Sequence, residues 1–153
     1  MAKLSPYLSF ENAKEAMGYY ENAFGATELT RIPVGKEMME KFSMSQTEAE
    51  NATLHGSFKI EGNLILCSDK FGRKSEASEY ISLLIDFNSD EEEEVKQMDK
   101  LYEKIIKRGK VTLEIPLTEQ QWGGKIARFT DKYGISWMLH SQSYATNIKN
   151  KEG

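Results

Sequence analysis

The feature that most constrains this 153-residue chain is that its two halves repeat one plan. In each half a strand-like run leads into an amphipathic helix that stops at a glycine. A strand-like run follows, and a hairpin closes the half. LHGSFKIEGNLILCS, starting at Leu54, parallels IARFTDKYGISWMLHS, starting at Ile126. Phe58 aligns with Phe129, and Gly62 with Gly134 after one residue of slippage. The repeat is about 75 residues, a β-α-β-β-β unit used twice. A unit that recurs must bury its apolar surface in the same way each time. The expected fold class is therefore α+β, with a first βαβββ module over 1–68, a linker over 69–78, a second module over 79–143 and a frayed tail over 144–153.

Both helices announce themselves by period and by caps. Ala13, Ala16, Met17, Tyr20 and Phe24 recur at helical spacing. Asn12 with Glu15 forms an Asx-type capping box, and Gly25 is the stop. The second stripe is Val95, Met98, Leu101, Tyr102, Ile105 and Ile106, with Ser89 and Glu92 as its expected cap and Gly109 as its end. The acid run from Asp90 to Glu94 reads as a first helical turn, where carboxylates complement the macrodipole. Residues 35–51 read as a long polar connection with one short helix, a lid or dimer arm in which Met38, Met39 and Met44 either form an adaptable apolar surface or simply pack.

Strand side chains alternate faces, so each strand sorts its residues in two. One set is apolar: Leu8 and Phe10; Leu54, Phe58 and Ile60; Ile81, Leu83, Ile85 and Phe87; Ile135, Trp137 and Leu139. These must cover the helix stripes. The opposite set is half polar: Ser5, Tyr7 and Ser9; His55, Ser57 and Lys59; Tyr80, Ser82 and Leu84; Ser136, Met138 and His140. Such a set cannot make an ordinary core. With helices outside a curved sheet, it would line a cavity of mixed polarity, the default place for a ligand.

Charge and composition remove several function classes. The net charge of −4 has no long basic run behind it, so nucleic acid lacks its electrostatic footprint. No apolar run approaches the roughly 18 residues of a membrane span. MAKLSPYLSF has no signal-peptide anatomy, which with the lone cysteine gives the expectation of a cytoplasmic protein. That cysteine, Cys67, sits in the apolar run NLILCS and reads as a buried, inert thiol. His55 reads either as a cavity group able to act as acid or base near neutrality, or as a histidine satisfied by its neighbours. His140 closes a strand and reads as a solvent-exposed bystander. Trp122, between EQQ and two glycines, reads as a loop tryptophan, either at a pocket rim or dimer contact or simply packed. Arg128 shares a face with Thr130 and reads equally as a clamp for an anion or as a cross-sheet ion pair. Asp131 reads as the organiser of the turn before Gly134, and Trp137 as core.

The doubled plan resembles the vicinal oxygen chelate superfamily, which includes glyoxalase I, extradiol dioxygenases, and fosfomycin and bleomycin resistance proteins. PYLSF, YYENAFGA and QQWGGKIARFTDKYGISWML resemble more closely its PhnB-like branch. Lys125 stands where that branch usually has arginine, and Lys132-Tyr133 replaces a Pro-Phe pair. The resemblance implies a curved mixed sheet around a cavity, often completed as a homodimer. It also implies metal-ligand positions near Ser5, His55, Tyr80 and Met138 in members that use a divalent metal. Of these only His55 is a good donor; serine and tyrosine are poor, and thioether sulfur is soft. The expectation is a small-molecule-binding protein without cofactor, its ligand held by Tyr7, His55, Ser57, Tyr80, Ser82, Trp122, Arg128 and Met138. A metal-dependent lyase, isomerase or dioxygenase is the first alternative, an enzyme with His55 as acid or base a further one. A structural dimer module without ligand is the remaining one.

Overall fold

A computed structural model describes residues 2–74, 76, 80–121 and 123–145. The chain divides into two compact units, Met1–Glu76 and Ala77–Gly153. In the first, β1 (Tyr7–Phe10), α1 (Ala13–Phe24), β2 (Thr27–Pro33), α2 (Lys36–Lys41), α3 (Gln46–Asn51), β3 (Thr53–Ile60) and β4 (Asn63–Asp69) follow in order. The second holds β5 (Ser82–Asn88), α4 (Glu92–Arg108), β6 (Thr112–Glu119), β7 (Lys125–Thr130) and β8 (Ser136–Gln142). Each unit has one four-stranded mixed sheet, ordered β1-β4-β3-β2 and β5-β8-β7-β6. The first strand runs parallel to the last, and the remaining pairings are antiparallel. The repeat seen in the sequence is thus a repeat of topology.

Local chemistry explains α1. The Asn12 side chain accepts from the Glu15 N–H at 3.1 Å, and Gly25 takes the left-handed conformation at φ 69°. Asp69, at the end of β4, accepts from the Ala13 N–H at 2.8 Å, so the strand also caps the helix. The expected stripe is buried, and Tyr20 stacks on Phe58 with ring centroids 5.3 Å apart. A Cβ at Gly56 would lie 3.0 Å from both Cys67 Sγ and Met17 Sδ. Glycine there lets helix and sheet approach closely. The β3–β4 hairpin turns on Glu61 and Gly62, both at positive φ, as a two-residue loop with this strand twist requires.

Four sequence expectations need correction. The cap of α4 is Glu91, not Ser89, and no side chain bonds there; Glu94 reaches back to the Asn88 N–H at 3.2 Å instead. The buried stripe of α4 is Met98, Leu101 and Ile105, while Ile106 faces solvent. The 35–51 connection holds two short helices rather than one. Its Met38, Met39 and Met44 pack with Phe71 against buried Val34, Ala49 and Ala52. The Arg31 guanidinium ties this segment down through the Glu50 and Ala52 carbonyls at 2.8 and 3.0 Å. Leu54 is exposed and Thr53 buried, because the β2–β3 register slips between His55 and Thr53 and reverses the alternation.

Candidate functional site

In the first sheet the face away from α1 carries a cross-strand row. Tyr7 pairs with Leu66, Leu66 with Ser57, and Ser57 with Thr30. The Ser57 and Thr30 hydroxyls bond at 2.6 Å. The Tyr7 and His55 rings lie 6.2 Å apart, tilted by 41°. Three of the expected ligand residues, Tyr7, His55 and Ser57, are therefore brought together by β-sheet register alone. Half of the Tyr7 surface is exposed, and an aromatic so placed beside hydroxyls and an imidazole offers apolar contact with polar anchors.

The second sheet arranges its own row. Leu84 pairs with Met138, and Met138 with Arg128. One step along, Ser82 pairs with Ser136 and their hydroxyls bond at 2.7 Å. Arg128 donates to the Ser82 hydroxyl at 3.4 Å and lies 3.5 Å from the Glu114 carboxylate, which also accepts from Thr130. Of the two readings of Arg128, the cross-sheet ion pair is present. Tyr80 precedes β5, which begins at Ser82, and is fully exposed within the chain. Trp122, its place at a pocket rim and the tail beyond Ala145 lie outside the described residues.

His140 is not a bystander. Its Nδ1 is 2.7 Å from Asp86 Oδ1, and the Gln142 amide donates to Asp86 Oδ2 at 2.9 Å. Asp86 and Gln142 are not legible as partners in the sequence, because only parallel pairing of β5 with β8 sets Asp86 opposite His140, 54 positions away. The signal available was Asp86 continuing the Ser82, Leu84 alternation. Cys67 is wholly buried, and desolvation, then the nearby Asp69 charge, push its thiol up to about 11, as an inert thiol requires.

The donor chemistry of these faces does not suit a divalent ion. The implied set offers one imidazole among hydroxyls, and Met138 presents thioether sulfur beside a guanidinium that repels cations. Among the described residues no three His, Cys, Asp or Glu side chains gather as a ligand set.

A family model described as 3-demethylubiquinone-9 3-methyltransferase matches residues 2–140. The chain belongs to this family. Protein YjdN of Escherichia coli K12 is 28% identical over 148 residues, spanning 90% of this chain and 93% of that protein. The structure of a putative 3-demethylubiquinone-9 3-methyltransferase, PhnB protein, from Bacillus cereus aligns with TM-score 0.61 at 23% identity, covering 92% of this chain and 99% of that one. The fosfomycin resistance protein FosX from Listeria monocytogenes, solved with Mn(II) and a sulfate ion, aligns with TM-score 0.60 at 17% identity over 97% and 98% of the two chains. At such identities the structural likeness speaks for the fold. It is the vicinal oxygen chelate fold in its PhnB-like form. No described helix is long and apolar enough to cross a membrane.

Proposed function

We propose that this PhnB-like protein binds a small molecule without a metal, using the sheet faces turned away from its helices. The observation that carries the reading is the spacing of polar anchors among apolar side chains on both faces. Tyr7, His55 and Ser57 group on one. Ser82, Arg128 and Met138 group on the other. Neither group is needed to close a core, since Phe58, Ile60, Phe129 and Leu139 do that from the opposite face. Thermal-shift screening against a library of small polar-aromatic and anionic molecules tests it, with S-adenosylmethionine included because the family description names a methyltransferase. A hit should weaken at least tenfold, or about 1.4 kcal/mol, in His55→Ala or Arg128→Ala. No stabilising compound across the library would favour the structural-module reading instead.

The metal question has its own test. Protein purified without a histidine tag is expected to carry no stoichiometric transition metal, by elemental analysis. Stoichiometric Mn, Fe, Ni or Zn would move the reading to a metal-dependent lyase, isomerase or dioxygenase. A small-molecule partner is joined by a second copy of the chain in this reading. Exposed Ile32, Leu64, Leu84, Leu113 and Ile115 lie on strands and are apolar surface of the kind that self-association covers. Sedimentation should give about twice the 17.5 kDa chain mass.

A further inference from the structure

We propose that the cleft at the C-terminal ends of β1 and β4 is a second binding site, for a small molecule that carries a phosphate monoester on an apolar or aromatic body. The cleft encloses about 330 Å³, within the range of small-ligand pockets. It lies past the ends of the strands, apart from the sheet-face residues described above, and wholly within the first unit. Its lining has two chemistries. Lys70, Arg73 and Lys74 supply cations, with Glu11 beside Lys70, while Met44 and half-buried Phe71 supply apolar surface. The turn after β4 builds this arrangement. The Lys70 N–H donates to the Phe10 carbonyl at 2.8 Å, which holds Lys70 to the end of the sheet. The Arg73 N–H then returns to the Lys70 carbonyl at 3.1 Å, over Phe71 and Gly72 at φ 49° and 79°. That is a type I′ turn, whose corners usually go to asparagine or glycine. Phe71 is kept there by its ring, which stacks on Phe42 with centroids 5.8 Å apart.

A tight turn sets its first and fourth residues side by side, so Lys70 and Arg73 are held close despite their like charge. Arg73 uses Nε on the Lys70 carbonyl at 3.3 Å, and among the described residues nothing takes its two Nη groups, the fork that suits a bidentate oxyanion. The acids nearby do not offset these charges. Asp69 accepts from the Ala13 N–H and caps α1. Glu11 pairs with Lys70 at 2.8 Å, but its side chain is 86% exposed against 20% for Lys70. A ligand can take Lys70 while Glu11 turns to water, since so exposed a pair is weak. Three cations beside one carboxylate already bonded to a helix match a dianion better than a monoanion. The second module shows that the fold does not demand them. Phe10 pairs with Asp69 and Phe87 with Ser141, so Glu11 corresponds to Asn88 and the basic turn to residues 142–145. There the chain closes on itself: the Tyr144 N–H donates to Asn88 Oδ1 at 3.3 Å and the Ser143 hydroxyl to Asp90 Oδ2 at 2.7 Å. Residues 142–145 include no lysine or arginine, whereas the first module places three of the chain's 20 within positions 70–74.

The probe is phenyl phosphate, followed by amide NMR of the full chain in about 0.15 M salt, which screens exposed charges beyond roughly 8 Å. Saturable shifts are expected at the amides of Glu11 and residues 70–74 and at the Arg73 Nε–H. Inorganic phosphate should bind there severalfold more weakly, for want of an apolar body, and phenol should not bind. Arg73→Gln combined with Lys74→Gln should weaken phenyl phosphate by about tenfold or more. Both side chains are exposed, so this variant should fold as the parent does. Glu11→Gln should tighten binding severalfold, because it removes the acid that competes for Lys70. Shifts confined to Tyr7, His55 and Ser57 would put the molecule on the sheet face, supporting the earlier reading and overturning this one. No saturable shift at the cleft, equal affinity for phenyl phosphate and inorganic phosphate, unsaturable shifts at lysines over the whole surface, or an affinity that either variant leaves unchanged would each overturn it as well.

Discussion

At the scale of single residues, Asp131 does the most with the least. It is 5% exposed, and its oxygens accept from the Tyr133 N–H at 2.8 Å, the Ile135 N–H at 3.1 Å and the Trp137 indole N–H at 2.9 Å. Removing the carboxylate strands three donors, so Asp131→Ala should lower unfolding free energy by about 3 kcal/mol in urea titrations. Asp131→Asn should cost less, because the amide oxygen still accepts while its NH2 opposes the indole N–H. Cys67 makes a pH prediction. Its folded pKa of about 11 exceeds the ordinary thiol value of 9.0, because burial, then Asp69, disfavours the thiolate. The thiol's contribution is fully present below pH 9 and is lost as pH rises from 9 through 11. The loss is on the order of 2 kcal/mol and should vanish in Cys67→Ala. Native protein near neutral pH should not react with a disulfide reagent until it unfolds.

At the scale of elements, the helix ends show where sequence reasoning works and where it does not. Asn12 and Glu15 are three residues apart, so the capping contact is local and legible. The start of α4 depends on how β5 leaves the sheet, and Ser89 carries its N–H to the Gln142 carbonyl rather than capping the helix. The end of α4 was legible in Gly109, whose necessity has a particular cause. Its φ of −85° suits any residue, but a Cβ would stand 2.6 Å from the Ile105 carbonyl oxygen that its own N–H bonds at 2.7 Å. Gly109→Ala must open that last turn, and we expect a loss of about 1–3 kcal/mol by thermal or denaturant unfolding.

At the scale of the whole molecule, two sheets of one topology predict two matching profiles of local stability. In each unit the last two strands pair on both sides or lie inside the order, and β2 and β6 stand at its ends. The side chains of β6 are almost all exposed, and Pro116 interrupts its donors. Native-state hydrogen exchange should find amides of β3, β4, β7 and β8 slowest and those of β2 and β6 faster.

The amino-acid order by itself determined what is local or periodic. It set the doubled β-α-β-β-β plan, the α1 cap, the core placement of Trp137, the Asp131 turn and the family motifs, because each depends on neighbours within about one helical turn or one strand period. It also separated the two strand faces, apart from Leu54, where a slipped register reversed the alternation, and Ile81, which precedes β5 and is exposed rather than packed under the helices. Only the tertiary structure decided which distant residues meet. Strand order placed Asp69 on the first amide of α1 across 56 positions and Arg128 beside Ser82 across 46. It also turned His140 from an apparent bystander into the partner of Asp86. Parallel pairing has no local mark in the chain. Its register follows from how each helix stripe seats on its sheet, a balance of packing summed over the whole module.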